Sequence, residues 1–347
     1  MRYPKFLKEK GTIGFVAPSF GCNIEPYRTA FDHALENFQE MGYKTILGPN
    51  CYAGDGIGIS SSPKNCGSEL TEYYCSRETD VLISCGGGEL MCEDLDFVDF
   101  ERIKKAPPKW FMGYSDNTNF TLLLATLCDT ASIYGPCAAS FGMEPWHDAI
   151  LDAFDLLHGK KQVVCGYPMW EKESFKDEEN PLEPYHPTEP RELITWLPGT
   201  GCTTTAKVSM KGRLIGGCLD ILCMHAGTEF DRVSEFAERY KKDGILWFME
   251  SCDLNVLGIR RALWQLEHAG WLNYVNGFLF GRPLCHGEEL MGLDQYDAVT
   301  GILSKYNVPI IMDLDIGHIP PQMPLICGSF AEVRLNSQDL TVSMNLI

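Results

Sequence analysis

The chain has 347 residues, enough for about two domains, and its 45% hydrophobic and 22% charged residues exclude a disordered protein. Against 29 Lys and Arg stand 47 Asp and Glu, a net charge of −18. That surface repels phosphate backbones and anionic lipid, so neither a nucleic-acid binder nor a polybasic membrane reader is expected.

No apolar run approaches the roughly 18 residues of a membrane span. The opening MRYPKFLKEKGTIGFVAPS lacks a continuous apolar h-region, so no signal peptide and a cytoplasmic location are expected. The 15 cysteines include no CxxC pair, and many lie in apolar stretches such as LLLATLC and DILCMH. This pattern reads as buried free thiol in a reducing compartment, with neither a disulfide frame nor a zinc site.

Strand and helix patterns alternate along the first part of the chain. Residues 12–17 (TIGFVA) predict a buried strand, and Tyr27, Phe31, Leu35, Phe38 and Met41 mark a helix over 26–42. A strand at 43–47, a helix at 68–78 and a strand at 80–84 follow, the last running into Gly86-Gly87-Gly88. Residues 93–104 read as helix, 109–113 as strand and 117–128 as helix. The alternation predicts a parallel sheet with helices on both faces, its ligands outside the carboxyl ends of the strands.

Residues 165–203 break the pattern with six prolines, and with eight acidic residues against three basic ones. They read as a linker or long surface loop, though Trp170, Tyr185 and Trp196 are unusual cargo for one. Beyond it, 205–216 predict paired strands turning at Lys211-Gly212, followed by a helix at 218–226 and a buried strand at 244–249. An amphipathic helix at 254–268, a strand at 276–281, a helix at 294–305 and a strand at 308–312 come next, and the last residues form a hairpin with a polar turn.

Four places could carry chemistry. Ser115 in Gly113-Tyr114-Ser115-Asp116 follows a predicted strand and opens a helix, the setting of a nucleophile elbow. Asn117 replaces the second glycine of G-x-S-x-G, and an ordinary N-cap serine is the alternative. Cys85-Gly86-Gly87-Gly88 could point backbone N–H groups at an anion or simply make a tight turn. It is neither a dinucleotide fingerprint nor a phosphate loop with its lysine. Glu250 ends the apolar run GILWFME, where a carboxylate needs a partner; Arg260 or Arg261 could serve. Gly317-His318 suits a general base, or a capping or core histidine. The competing Cys285-His286 pair points its two side chains to opposite sides, and His286 with Glu288 and Glu289 lacks spaced partners for a metal.

These motifs, in this order, resemble the LD-carboxypeptidase family of serine peptidases, which includes murein tetrapeptide carboxypeptidases and microcin C self-immunity proteins. The segments that carry the resemblance are GTIGFVAPS, DVLISCGGGEL, PKWFMGYSDNTNF with SIYGPCAASF, GRLIGGCLDILCMHAGTEFD, ILWFMESCDLNVLGIRRALWQLEHAG and VPIIMDLDIGHIPPQMPLICGS. The resemblance implies an α/β fold: a flavodoxin-like N-terminal domain over 1–160 and a C-terminal domain over 205–347 built around a swivelling β/α-type barrel, with 161–204 as linker and long loop.

It also implies a triad of Ser115, Glu250 and His318, and oxyanion donors at the backbone N–H groups of Gly87 and Asp116, with no metal or organic cofactor. Cys85 and Cys218 stand where the family more often has other residues, an asparagine in the second case, so Cys218 and Gly86 are candidate substrate contacts. The length and the 165–203 insertion look closer to the immunity branch, in which Trp170 or Trp196 could stack on an adenine or merely anchor the loop. The expected substrate is a small peptide or an aminoacyl-nucleotide, and a homodimer is expected on resemblance alone. Murein tetrapeptide cleavage and a non-catalytic small-molecule binder are the alternatives.

Overall fold

Short apolar runs at 12–16, 81–84 and 110–113 are too brief and too β-branched or aromatic for helices, and each is bounded by glycine, serine or proline. In the computed structural model, which describes residues 1–347, all three are buried parallel strands. The chain divides into two units, the first made of 1–161 with 173–186, the second of 162–172 with 187–347.

The first unit holds β1 (Thr12–Val16), β2 (Lys44–Leu47), β3 (Val81–Ser84), β4 (Trp110–Gly113) and β5 (Ser132–Tyr134). They pair in parallel in the order β5-β4-β3-β1-β2, the flavodoxin-like order, in which binding crevices open beyond the carboxyl ends of the strands. Helices α1 (Tyr27–Glu40), α2 (Pro63–Cys75), α3 (Phe100–Lys105), α4 (Thr118–Thr126) and α5 (Asp148–Leu157) complete it.

All nine residues of α4 are buried, its threonines and Asn119 included, so this helix has no solvent face. Phe120 on α4 meets Phe111 edge-on at 4.8 Å and Tyr74 at 5.6 Å, in a core shared with Val16, Leu82 and Leu124. The helix expected at 93–104 is instead a 3-10 segment (Met91–Phe97) followed by α3, because Asp99 caps the second turn by accepting from the Arg102 N–H.

The second unit is a nine-stranded mixed sheet. Its strands are β6 (Val163–Val164), β9 (Ile194–Leu197), β10 (Gly201–Thr203), β11 (Lys207–Cys218), β12 (Ile245–Glu250), β13 (Val275–Gly281), β14 (Ile310–Leu314), β16 (Phe330–Asn336) and β17 (Asp339–Asn345). Their order is β10-β9-β14-β13-β12-β11-β16-β17-β6. β7 (Met169–Trp170) pairs with β8 (Glu189–Pro190), and β15 (Leu325–Cys327) is a further short strand. The helices are α6 (Leu219–His225), α7 (Val233–Arg239), α8 (Val256–His268) and α9 (Gln295–Leu303).

Two expectations need correction. Lys211-Gly212 makes no turn; β11 runs straight through, antiparallel to β16 in its first half and parallel to β12 in its second. Gly212 is there for close approach, since a Cβ would lie 2.8 Å from the Gly244 carbonyl oxygen. The tract 161–204 is not a plain linker either. It contributes β6, β9 and β10 to the large sheet and sends 173–186 back to the first unit. There the Glu144 N–H donates to the Leu182 carbonyl, and Tyr185 meets His147 edge-on. Tyr185 is thus an anchor of this segment on the first unit.

Candidate active site

The site residues of the first unit lie beyond the carboxyl ends of β1, β3 and β4. Ser115 directly follows β4 and the extended Tyr114, and its backbone stands at φ +62°. This left-handed conformation is uncommon for a residue with a side chain and carries strain of roughly 1–3 kcal/mol. It puts the serine at the tip of a sharp strand-to-helix turn, the geometry of a nucleophile elbow. The Ser115 N–H donates to the Tyr134 hydroxyl at 3.2 Å.

The glycine run after β3 packs against this serine. A Cβ built on Gly87 would stand 3.2 Å from Ser115 Oγ, a tight contact that would press on the serine side chain. The Gly87 carbonyl accepts from the Phe20 N–H at 2.8 Å, and the Gly86 carbonyl accepts from Asn117 Nδ2 at 2.8 Å. The Gly86 carbonyl and the Gly87 N–H share one peptide, so the Asn117 hydrogen bond fixes the direction of that N–H. Asn117, which cost the sequence its second elbow glycine, is thus the side chain that ties the elbow to the glycine loop.

Asp116 is buried and accepts from Ser19 Oγ at 2.6 Å, Met91 N at 3.0 Å and Asn119 Nδ2 at 2.9 Å. Burial pushes its carboxyl up to about 6, against the pull of those hydrogen bonds.

In the second unit Glu250 ends β12 with its side chain fully buried, and its Oε2 lies 2.8 Å from His318 Nδ1. Arg260 is turned away, donating to the Asp297 carbonyl, so the arginine partner considered from sequence is replaced by the histidine. Burial works to lower the His318 pKa, but the Glu250 charge, with hydrogen bonds to Cys252 and Glu250, outweighs it. The imidazole is held well above its ordinary value. Gly317 at φ +102° makes the approach possible, since a Cβ there would meet the Glu250 carboxylate at 2.4 Å.

The loop after Glu250 is clamped by Asp220, which accepts from Ser251 Oγ and from the N–H groups of Cys252 and Asp253. Neither Asp220 nor Cys252 was marked from sequence, because no motif separates a loop-clamping carboxylate from a solvated one.

The remaining candidates are placed as follows. Cys218 lies opposite Glu250 in the β11–β12 register, 2% exposed, with its thiol directed at Asp220. Trp170 lies over the Arg282 guanidinium at 4.6 Å and meets His286 edge-on. Trp196 is a strand residue of β9 between β10 and β14. His286 Nε2 sits 3.9 Å from Asp313 Oδ1, and Cys285 is buried apart from it. Trp170, Arg191, Arg282, His286, Tyr296 and Asp313 line a recess of about 560 Å³ in the second unit.

The first unit is a flavodoxin-like α/β fold with a strained serine beyond its strands, the second a sheet unit with a buried carboxylate–imidazole pair, and comparison with known proteins gives the family. The LD-carboxypeptidase N-terminal domain matches residues 13–135 and the LD-carboxypeptidase C-terminal domain matches 211–333. The chain belongs to the LD-carboxypeptidase family of peptidases. It is 24% identical over 341 residues to the microcin C7 self-immunity protein MccF of Escherichia coli, covering 96% of this chain and 93% of that one. A structure of MccF in complex with glutamyl sulfamoyl guanosine matches with a TM-score of 0.81 at 20% identity, covering 99% of this chain and 98% of that one. A muramoyltetrapeptide carboxypeptidase from Oxalobacter formigenes matches with a TM-score of 0.69 at 18% identity, over 96% and 99% of the two chains. No helix is long and apolar enough to cross a membrane.

Proposed function

We propose that the chain is a serine amide hydrolase in which Ser115, Glu250 and His318 form the triad. The observation that carries this reading is the left-handed backbone of Ser115, with glycine packed against its Oγ. His318 takes the Ser115 proton as Oγ attacks the amide carbonyl, and Glu250 fixes the imidazole tautomer and stabilises the imidazolium. The N–H groups of Gly87 and Asp116 receive the oxyanion, each such donor typically worth about 3–4 kcal/mol. The amine leaves with the proton from His318, and water then releases the acyl group from Ser115.

The substrate proposed first is an aminoacyl-nucleotide or similar small peptide-type amide, a reading supported by the glutamyl sulfamoyl guanosine bound in the MccF complex. A second reading, release of D-alanine from a murein tetrapeptide, is favoured by one observation: the Trp170 ring is packed against Arg282 and His286 within the second unit.

The test is hydrolysis of an aminoacyl sulfamoyl adenosine and of a murein tetrapeptide by wild type and Ser115→Ala. Cleavage of one substrate by wild type selects the reading, with a loss of about 10⁴-fold or more expected in the variant. Equal turnover by the variant overturns the serine mechanism.

A further inference from the structure

Three segments far apart in sequence meet at the Asp116 carboxylate. Its Oδ2 accepts from Ser19 Oγ, beyond β1, and from the Met91 N–H, beyond the glycine loop, while its Oδ1 accepts from Asn119 on α4. Ser19 is fully buried and wedged against the glycine loop, where a Cβ on Gly88 would meet its Oγ at 2.2 Å. The next residue, Phe20, donates its N–H to the Gly87 carbonyl at 2.8 Å. A continuous path therefore runs from the residue after the nucleophile, through two side chains and one peptide, to the carbonyl of Gly87, the residue whose N–H is the other donor.

We propose that Asp116, acting through Ser19, is a positioning residue that locks the nucleophile turn and the backbone of Gly87 into one rigid oxyanion frame. This rests on the serine-hydrolase reading above and adds to it a role for a side chain that touches no substrate. A carboxylate suits the task, because an acceptor-only group can take three donors from three directions. Its burial makes the substitution of either partner costly, since the other is left unsatisfied.

The frame matters where charge develops on the substrate oxygen, so its loss should act on the transition state and leave substrate binding nearly intact. Ser19→Ala should lower kcat about 10- to 100-fold with KM within about 3-fold, below the roughly 10²–10³ of losing a donor outright. Asp116→Ala should do the same, and the double variant should be no worse than the poorer single one, because both break one path. Asp116→Asn keeps one oxygen for Ser19 and Met91 and should retain most of the activity.

A fluorophosphonate probe reads the same frame without a known substrate. Ser115 Oγ bonds to phosphorus, the P–F bond breaks, fluoride leaves and the serine proton passes to His318. The labelling rate should fall in parallel with kcat, while thermal melting shows Ser19→Ala still folded. Unchanged kcat and labelling in a folded Ser19→Ala, or fully additive losses in the double variant, overturn the proposal. Hydrolysis by Ser115→Ala at the wild-type rate overturns the functional reading and this inference with it.

Discussion

Ser115 and His318 illustrate how a few torsions and one charge prepare a side chain for chemistry. The serine takes a left-handed backbone, and the imidazole takes a buried carboxylate neighbour. His318 must be neutral to accept a proton, so hydrolysis should rise with pH through the His318 pKa, which lies above its ordinary 6.5. In Glu250→Gln the opposing charge is gone while burial still disfavours the imidazolium. The acid limb of the kcat profile should therefore move to lower pH, and kcat should fall by roughly 10⁴-fold where tautomer control is lost. A pH profile with an unmoved acid limb would remove Glu250 from this role. At this scale the sequence was informative where a motif is contiguous, as in Gly113-Tyr114-Ser115-Asp116. It was silent on the Ser19–Asp116 contact, which joins residues 97 positions apart and leaves no local signature.

At the scale of elements, periodicity located most helices and strands to within a few residues, because burial alternation is written locally. It misread Lys211-Gly212, where glycine signals close packing rather than a turn. It also passed over Lys109 as the polar start of a strand. That ammonium is buried and donates to the Tyr73 and Ser76 carbonyls, at the end of α2, and to Thr79 Oγ1. Burial pulls its pKa down to about 8. It is the cap of α2, satisfying carbonyls that no backbone N–H reaches. Lys109→Met should preserve volume yet leave those acceptors buried and bare, lowering stability by about 1–3 kcal/mol in urea titration. A variant as stable as wild type would show that water replaces the ammonium.

The whole molecule carries a surplus of acid, and part of it is internal. Asp94 is fully buried with neither carboxylate oxygen hydrogen-bonded. Burial, with the charges of Asp116, Glu69 and Glu93, raises it to about 9. The folded chain thus keeps a proton that the unfolded chain releases near pH 4. Stability from this group is complete below about pH 4 and is lost as pH rises toward 9, because the native state binds more protons over that interval. Asp94→Asn removes the titration, so its melting temperature relative to wild type should climb between pH 6 and 9, by about 2–4 °C per kcal/mol. Parallel curves for the two proteins would contradict this. No sequence pattern marks such a carboxyl, since MCEDLDF reads as an ordinary amphipathic turn.

The chain passes from one unit to the other three times, around residues 161, 173 and 186. A cut in the exposed stretch near 177–180 would therefore not yield two separate domains. The N-terminal fragment would carry away β6, the edge strand on β17, together with Glu171, whose N–H is bound to the Pro320 carbonyl. The C-terminal fragment would keep the Leu182 carbonyl that receives the Glu144 N–H. Each piece would own part of the other's architecture, so limited proteolysis should give a complementing pair that co-elutes on a sizing column and parts only in denaturant. Expressed separately, the halves should behave as a split protein, each incomplete until it meets its counterpart.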